Sequence, residues 1–356
     1  MNEPSESMPN MPSQQQPQQQ PQPQPTPNPT PKRVWWVEAG RNFSLIGAAL
    51  AIMLVFWIAL NILASNALAL LFPGGNMPTW ALFLASSGPL YAIAMPLSML
   101  VFTRVPAIET RKYNMGAKEF FQLLIMCVPV MYLGNIIGNM FSQTATDGQA
   151  VDRVSSLLMG SQWWVTVLFA VILGPIFEEW IFRKEIISRL RRYGERTAIV
   201  ISSLAFALFH QNFFQFFYAF GLGLLFGYVY MRTSKLIYPV LMHMLLNFNG
   251  SVIAPLLLRS VDSRILDGSL SEADLLSMIE NGNLGGMGAM MLYGMVLFAL
   301  VITGIVLLVK WQRRWEFYTA PEELPRGSKL RISIGNPGMI VYILIAVALS
   351  VLMLFQ

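Results

Sequence analysis

The stretch GPIFEEWIFRKEI, residues 174 to 186, carries two adjacent carboxylates, Glu178 and Glu179, to the end of an apolar run that begins at Trp163. Arg183 follows Glu179 by four residues with the acid first, the favourable order for an ion pair along one helix face. Glu178 is rotated from its neighbour by about 100° on a helix, so it meets a different surface. Every other acidic residue falls in a tail, a loop or a helix end. Both histidines of the chain, His210 and His243, also sit in apolar runs, in FALFH and HMLLN. A charge or imidazole at membrane depth costs a few kcal/mol even on lenient insertion scales, so these groups need a cavity, partners or a function.

The chemistry open to such a set is hydrolysis. Glu178 and His210 would polarise a water as general bases. His243 and Asn247 stand four apart on one helix face, as do Phe206 and His210, and the first pair would donate hydrogen bonds to the oxyanion formed when water attacks an amide carbonyl. The same residues offer a second chemistry: Glu178, His210 and His243 have the ligand count of a catalytic zinc site with one open position. Spacing leaves both open. The reading without a required cofactor is preferred, with zinc as the alternative, because a zinc site leaves Asn247 without a task.

These side chains need elements to hold them, and the composition says which. The chain has 356 residues, 54% apolar and 12% charged, with positive mean hydropathy. That composition belongs to an all-α, polytopic membrane helix bundle. About 20 apolar residues cross a bilayer, and nine such segments are predicted, near 43–66, 80–103, 119–142, 163–183, 197–212, 213–231, 236–258, 286–309 and 337–355. The fifth is short and stops at Gln211 and Asn212; such a break is tolerated where it lines protein or a wet cavity. Tyr193 and Gly194 mark a stop between the fourth and fifth helices. Glu178 lies sixteen residues before Gly194 and His210 sixteen after it, so an antiparallel hairpin brings them level, on the cytoplasmic side of mid-membrane if the charged extension projects into the cytoplasm.

The remaining organisation follows from charge and low complexity. Residues 1–33 are rich in Pro and Gln and form a predicted disordered tail. Helices then fill 34–159, the polar set occupies a core over 160–258, an acidic external loop spans 259–285, and two helices complete 286–356. Within the loop, Ser269 to Glu272 fits a capping box ahead of ADLLSMIE, and Gly282 supplies a stop. The Phe-rich stretch FFQFFYAF is read as lipid-facing packing. Of 24 Lys and Arg, 21 fall in the tail and alternate loops if Arg183 is counted there, which predicts a cytoplasmic amino terminus and an external carboxyl terminus. The sequence pI of about 9.3 then reflects loops beside anionic lipid, and nucleic acid is not needed to explain it. Cys127, the lone cysteine, lies within an apolar span, so neither an intrachain disulfide nor a structural cysteine cluster can form.

At these residues the chain resembles the CPBP family of intramembrane endopeptidases, which includes type II CAAX prenyl proteases and proteins linked to bacteriocin processing and self-immunity. Its pattern of EExxxR, FxxxH and HxxxN reads here EEWIFR (Glu178 to Arg183), FALFH (Phe206 to His210) and HMLLN (His243 to Asn247), in order. The resemblance implies a peptidase that cuts near the carboxyl end of a prenylated (CAAX-type) or other membrane-associated protein or peptide. Glu178 and His210 would activate water, His243 and Asn247 would hold the oxyanion, and Glu179, Arg183 and Phe206 would support them. Members are often called metalloproteases, and a metal-free glutamate mechanism is also argued for the family. Two other readings use the same residues: a proton- or ion-coupled transporter, and a non-enzymatic immunity protein on the same fold. Against the transporter, no internal duplication is visible.

Overall fold

A computed structural model describes residues 35–74, 77–266, 268–281 and 284–355. The expected tail over 1–33 and the stop at Gly282 lie outside the described residues. Among the described residues every regular element is helical. In chain order the long helices begin with α1 (Trp35–Leu71), α2 (Thr79–Phe102) and α3 (Ala117–Ala145). A short α4 (Arg153–Gly160) leads into α5 (Trp163–Tyr193), α6 (Glu195–Phe209), α7 (Phe213–Thr233) and α8 (Ile237–Ser260). After the short α9 (Glu272–Glu280) come α10 (Gly285–Trp311) and α11 (Pro337–Leu354).

Eight of these helices are long and apolar enough to cross a membrane. The ninth expected span is α6, and it has only 15 residues. Its length is set by a break: Gln211 takes φ of +51°, and the Asn212 side chain caps α7 by accepting from the Phe214 amide at 2.9 Å. Such a rod cannot satisfy its ends in lipid alone. It is instead buried along nearly all its length, among α5, α7 and α11.

The loops sort to two ends of the bundle. At one end the segments after α2, α5, α7 and α10 meet, through hydrogen bonds from Ile108 N to Ser188 O, Tyr113 N to Thr233 O and Leu324 N to Tyr193 O. At the other end the α6–α7 break meets the residues before α4, and Arg259 of α8 donates to the carbonyls of Met159 and Ser161. Gly194 makes the α5–α6 turn: its φ of +126° is one that side-chain-bearing residues rarely adopt.

Three expectations need correction. The Phe-rich stretch 213–220 is more than a lipid-facing surface; its side chains are buried or half-buried, and it packs on α3, with the Phe141 ring tilted against Phe213 at 5.0 Å and Phe217 at 5.9 Å. The capping box lies at Ser271 and Asp274, two residues beyond the expected one, with Asp274 N donating to Ser271 Oγ at 3.1 Å. The reason is local: Leu270 N donates to Arg264 O, which holds the chain in a turn so that the helix cannot begin earlier. Arg183 is not a loop charge at all, since it is wholly enclosed.

Candidate active site

The site begins with an irregularity in α5. Residues Val167–Leu173 form a π-helical turn, residues Gly174–Glu179 return to α-geometry, and Trp180–Ile187 form a second π turn. In the first π turn each amide reaches back five residues, as Gly174 N does to Phe169 O. The next amide in that series belongs to Pro175, which has no hydrogen, so Ala170 O is left without a backbone donor. The Asn247 side chain fills the vacancy, donating from Nδ2 to Ala170 O at 2.8 Å. A proline in one helix thereby orients a carboxamide from another.

The two adjacent glutamates separate as their rotation requires. Glu179 is fully buried and pairs through Oε2 with Arg183 Nε at 2.9 Å. Its Oε1 lies 3.0 Å from His243 Nδ1. An ionised carboxylate only accepts, so His243 Nδ1 donates and the ring is fixed with Nε2 pointing elsewhere. Nε2 lies 3.8 Å from Oε2 of Glu178, whose side chain keeps 19% of its surface exposed. One imidazole therefore joins a closed ion pair to an accessible carboxylate.

Arg183 is also held by Ser202 Oγ, which accepts at 3.1 Å, and by the face of Phe206, 4.6 Å from its guanidinium carbon. The ring of Phe206 serves three groups, since His210 lies 4.8 Å and His243 5.8 Å from its centre, both edge-on. His210 Nδ1 is 2.8 Å from Phe206 O. A carbonyl can only accept, so Nδ1 carries the hydrogen and Nε2 of the neutral ring is left with a free lone pair. The α5–α6 hairpin is in the expected register: Phe182 and Phe206, each twelve residues from Gly194, are in contact at 5.3 Å.

Structure thus brings Glu178, Glu179, Arg183, Phe206 and His243 into one contact set, with His210 on the same phenyl ring and Asn247 one helical turn beyond His243 on α8. Sequence spacing missed Ser202, the Ala170 carbonyl and Phe226, whose ring lies 5.4 Å from His243. A serine within an apolar helix and a proline after Gly174 were available as signals for the first two. Nothing in the sequence marks Phe226 among its neighbouring phenylalanines.

A cavity of about 460 Å³ reaches this region at His210. Its walls include Trp57 and Ile62 of α1, Arg153 of α4, Asn212 at the break and Met353 of α11. These residues sit toward the end of the bundle opposite the basic loops. Glu178 itself is midway along α5.

Residues 160–249 match the model of the family described as type II CAAX prenyl endopeptidase Rce1-like. That stretch contains all three motifs. The match supports a CPBP-type protease core over that stretch. The membrane-embedded CAAX protease MroQ of Staphylococcus aureus (strain USA300) is 37% identical over 90 residues, which cover 23% of this chain and 36% of that protein. The similarity thus spans about a third of that relative. No solved structure matches the chain.

The CPBP core can be tested for a metal. His243, with Nδ1 donating to a carboxylate, has the orientation that metal-ligating histidines adopt, and its Nε2 faces Glu178. A third donor is missing: among the described residues no three His, Cys, Asp or Glu side chains converge as a ligand set. His210 does not complete the pair. As arranged, the core does not fit a three-ligand zinc site.

Proposed function

We propose that this chain is an intramembrane endopeptidase in which Glu178 and His210 activate water while His243 and Asn247 hold the oxyanion. The observation that carries the reading is the linkage of Glu179, His243 and Glu178, which fixes one imidazole between a buried ion pair and a partly exposed carboxylate. Glu178 takes a proton as the water oxygen bonds the carbonyl carbon, and the carbonyl π pair moves onto oxygen. His210, tied through Nδ1, offers Nε2 as a second acceptor for the water.

As an oxyanion donor, His243 carries hydrogen on both nitrogens. The charges of Glu178, Glu179, Arg183 and His243 then sum to zero, the condition under which a buried ionic group costs least. Asn247 uses one amide hydrogen on Ala170 O and has a second for the oxyanion. When the intermediate collapses, the proton held by Glu178 passes to the departing amine. No step is routed through a metal.

The substrate is a prenylated (CAAX-type) or other membrane-associated protein or peptide cut near its carboxyl end, and the basic end of the bundle is cytoplasmic. The test compares peptides released from membranes carrying wild-type protein and membranes carrying Glu178→Ala at equal abundance. Peptides present only with wild type are expected. Identical peptide sets would overturn the reading.

A further inference from the structure

The basic end of the bundle holds a second cavity, of about 1170 Å³, lined by none of the residues around His210. It lies where α5, α7 and α10 end and α3 begins. Six cationic side chains line it: Arg111 from the segment after α2, Lys118 of α3, Arg191 of α5, Arg232 of α7, and Arg313 and Arg314 just past α10. Four carboxylates, those of Glu109, Glu119, Glu195 and Glu316, share the lining, so positive charge is in excess by two.

The excess persists where the lining is most enclosed. Arg191 and Arg232 both turn to Glu195: Arg232 Nη2 contacts its Oε2, and Arg191 Nη2 lies 3.9 Å from its Oε1. The same Oε2 also accepts from the Tyr318 amide at 2.9 Å. Each guanidinium side chain keeps only 14% of its surface exposed and the carboxylate 10%. Three largely buried charges thus sum to plus one, and a charge taken from water without a counter-ion is costly. Arg232 Nη1 makes no hydrogen bond among the described residues. Glu316 is exposed and takes the Tyr318 hydroxyl at 3.2 Å. Aromatic rings border the cations, with Tyr318 4.8 Å from the Arg232 guanidinium carbon and Trp311 5.4 Å from that of Arg314. Trp311 closes α10, and aromatic side chains at helix ends mark the headgroup layer of a bilayer.

We propose that this cavity binds a phosphate-bearing anion, either the headgroup of an anionic phospholipid or a soluble phosphate ester. Guanidinium groups pair with phosphate oxygens through parallel N–H bonds, and one such anion offsets the excess charge. A bare ion would fill little of the volume. The carboxylates have a task beside the phosphate, since they accept hydroxyl hydrogens from the alcohol part of an ester. Basic pockets between membrane helices meet acidic headgroups in this way. Arg191 is thirteen residues along α5 from Glu178, a rise of about 20 Å, so the site is distinct from the polar set.

The test measures binding, not cleavage, and stands apart from the endopeptidase reading. Purified full-length protein in neutral detergent is titrated with tail-labelled phosphatidylglycerol, with unlabelled phosphatidylglycerol, phosphatidylcholine, glycerol phosphate and inorganic phosphate as competitors. Phosphatidylglycerol is expected to compete at least about tenfold better than phosphatidylcholine, the scale of one charge-assisted hydrogen bond. Two triple variants of equal net charge separate a site from diffuse attraction. Arg111→Gln with Arg313→Gln and Arg314→Gln removes three exposed cations from the cavity, and should weaken binding at least about tenfold. Arg104→Gln with Arg326→Gln and Arg331→Gln removes three exposed cations from the same end outside it, and should cost less than about threefold. Arg232→Gln leaves Arg191 and Glu195 as a neutral pair and should weaken binding as the first triple does; if it fails to fold, the triples still decide. Lipid competing more strongly than glycerol phosphate and inorganic phosphate assigns the site to a headgroup, and equal competition by all three assigns it to soluble phosphate. Equal losses in the two triples overturn the proposal, as does phosphatidylcholine competing as well as phosphatidylglycerol.

Discussion

Replacing Glu179 by alanine should unfold the protein more readily as well as silence it, and the structure sets the scale. Arg183 is 0% exposed, and Glu179 is its ion-pair partner at 2.9 Å. Without that carboxylate the guanidinium keeps the Ser202 hydroxyl, the faces of Phe206 and Phe226 and the more distant charge of Glu178, and His243 Nδ1 loses its acceptor. Removing one member of a buried pair costs about 3–5 kcal/mol, because a charge stays in a low-dielectric site uncompensated. Glu178→Ala makes the control: its carboxylate is 19% exposed and 3.8 Å from His243, so the loss of stability should stay below about 1 kcal/mol. A second comparison separates stranded charge from lost volume. Glu179→Leu with Arg183→Met removes both charges and should recover part of the stability lost in Glu179→Leu alone. The assay is unfolding of purified protein in detergent, followed by tryptophan fluorescence. A Glu179→Ala midpoint equal to wild type would refute the reasoning, since it would mean that Arg183 finds water or another anion.

Three further outcomes are expected. Treatment with a zinc chelator should leave cleavage unchanged, and elemental analysis should find well under one zinc per active chain; stoichiometric zinc, with activity lost on chelation and restored by zinc, would overturn the metal-free proposal. Phe206→Leu should lower both stability and turnover, by about 1–3 kcal/mol in unfolding free energy, since the ring contacts Arg183, His210 and His243 together; a variant with wild-type midpoint and kcat would show that the ring is not their support. In the loop, the hydroxyl and amide of Ser271, aided by Arg264, hold the Asp274 carboxyl below its ordinary value. A group depressed on folding stabilises above its unfolded value and loses that contribution as pH falls through the folded one. Amide protection at the start of α9 should therefore be intact at neutral pH and drop under strongly acid conditions; equal protection at both would count against the cap.

Periodicity and spacing made much of this legible. Apolar length located the helices, and the short 197–212 run announced the break that Gln211 and Asn212 make. Counting from Gly194 gave the register of α5 and α6 seen at Phe182 and Phe206, because antiparallel helices joined by one tight turn rise at similar rates from it. The same counting could not see the π turns. The first of them leaves Ala170 O to the Asn247 side chain, and Pro175 is the one local hint of it. The i,i+4 rule found the Glu179–Arg183 pair. It could not reveal that His243, 64 residues away, completes it. Ser271 was missed in favour of Ser269 because both precede an acid by three residues, and the choice was made by a tertiary bond from Leu270 to Arg264.

Where the chemistry sits and where the access comes from are separable in this chain. The polar set lies on α5, α6 and α8, inside residues 160–249. The cavity leading to His210 is walled largely by α1, α11 and the residues before and within α4, which lie outside that stretch. Trp57 shows how the two parts join: it stacks on Phe209 at 5.2 Å, next to His210, and donates from Nε1 to Ser86 O of α2. Substitutions on α1 and α11 therefore act on what reaches the site, and should change KM between substrates, while the groups around Glu178 act on kcat. Changes in this lining, which includes Trp57, Ile62, Arg153 and Met353, can alter what the cavity admits without touching the residues that carry the polar set.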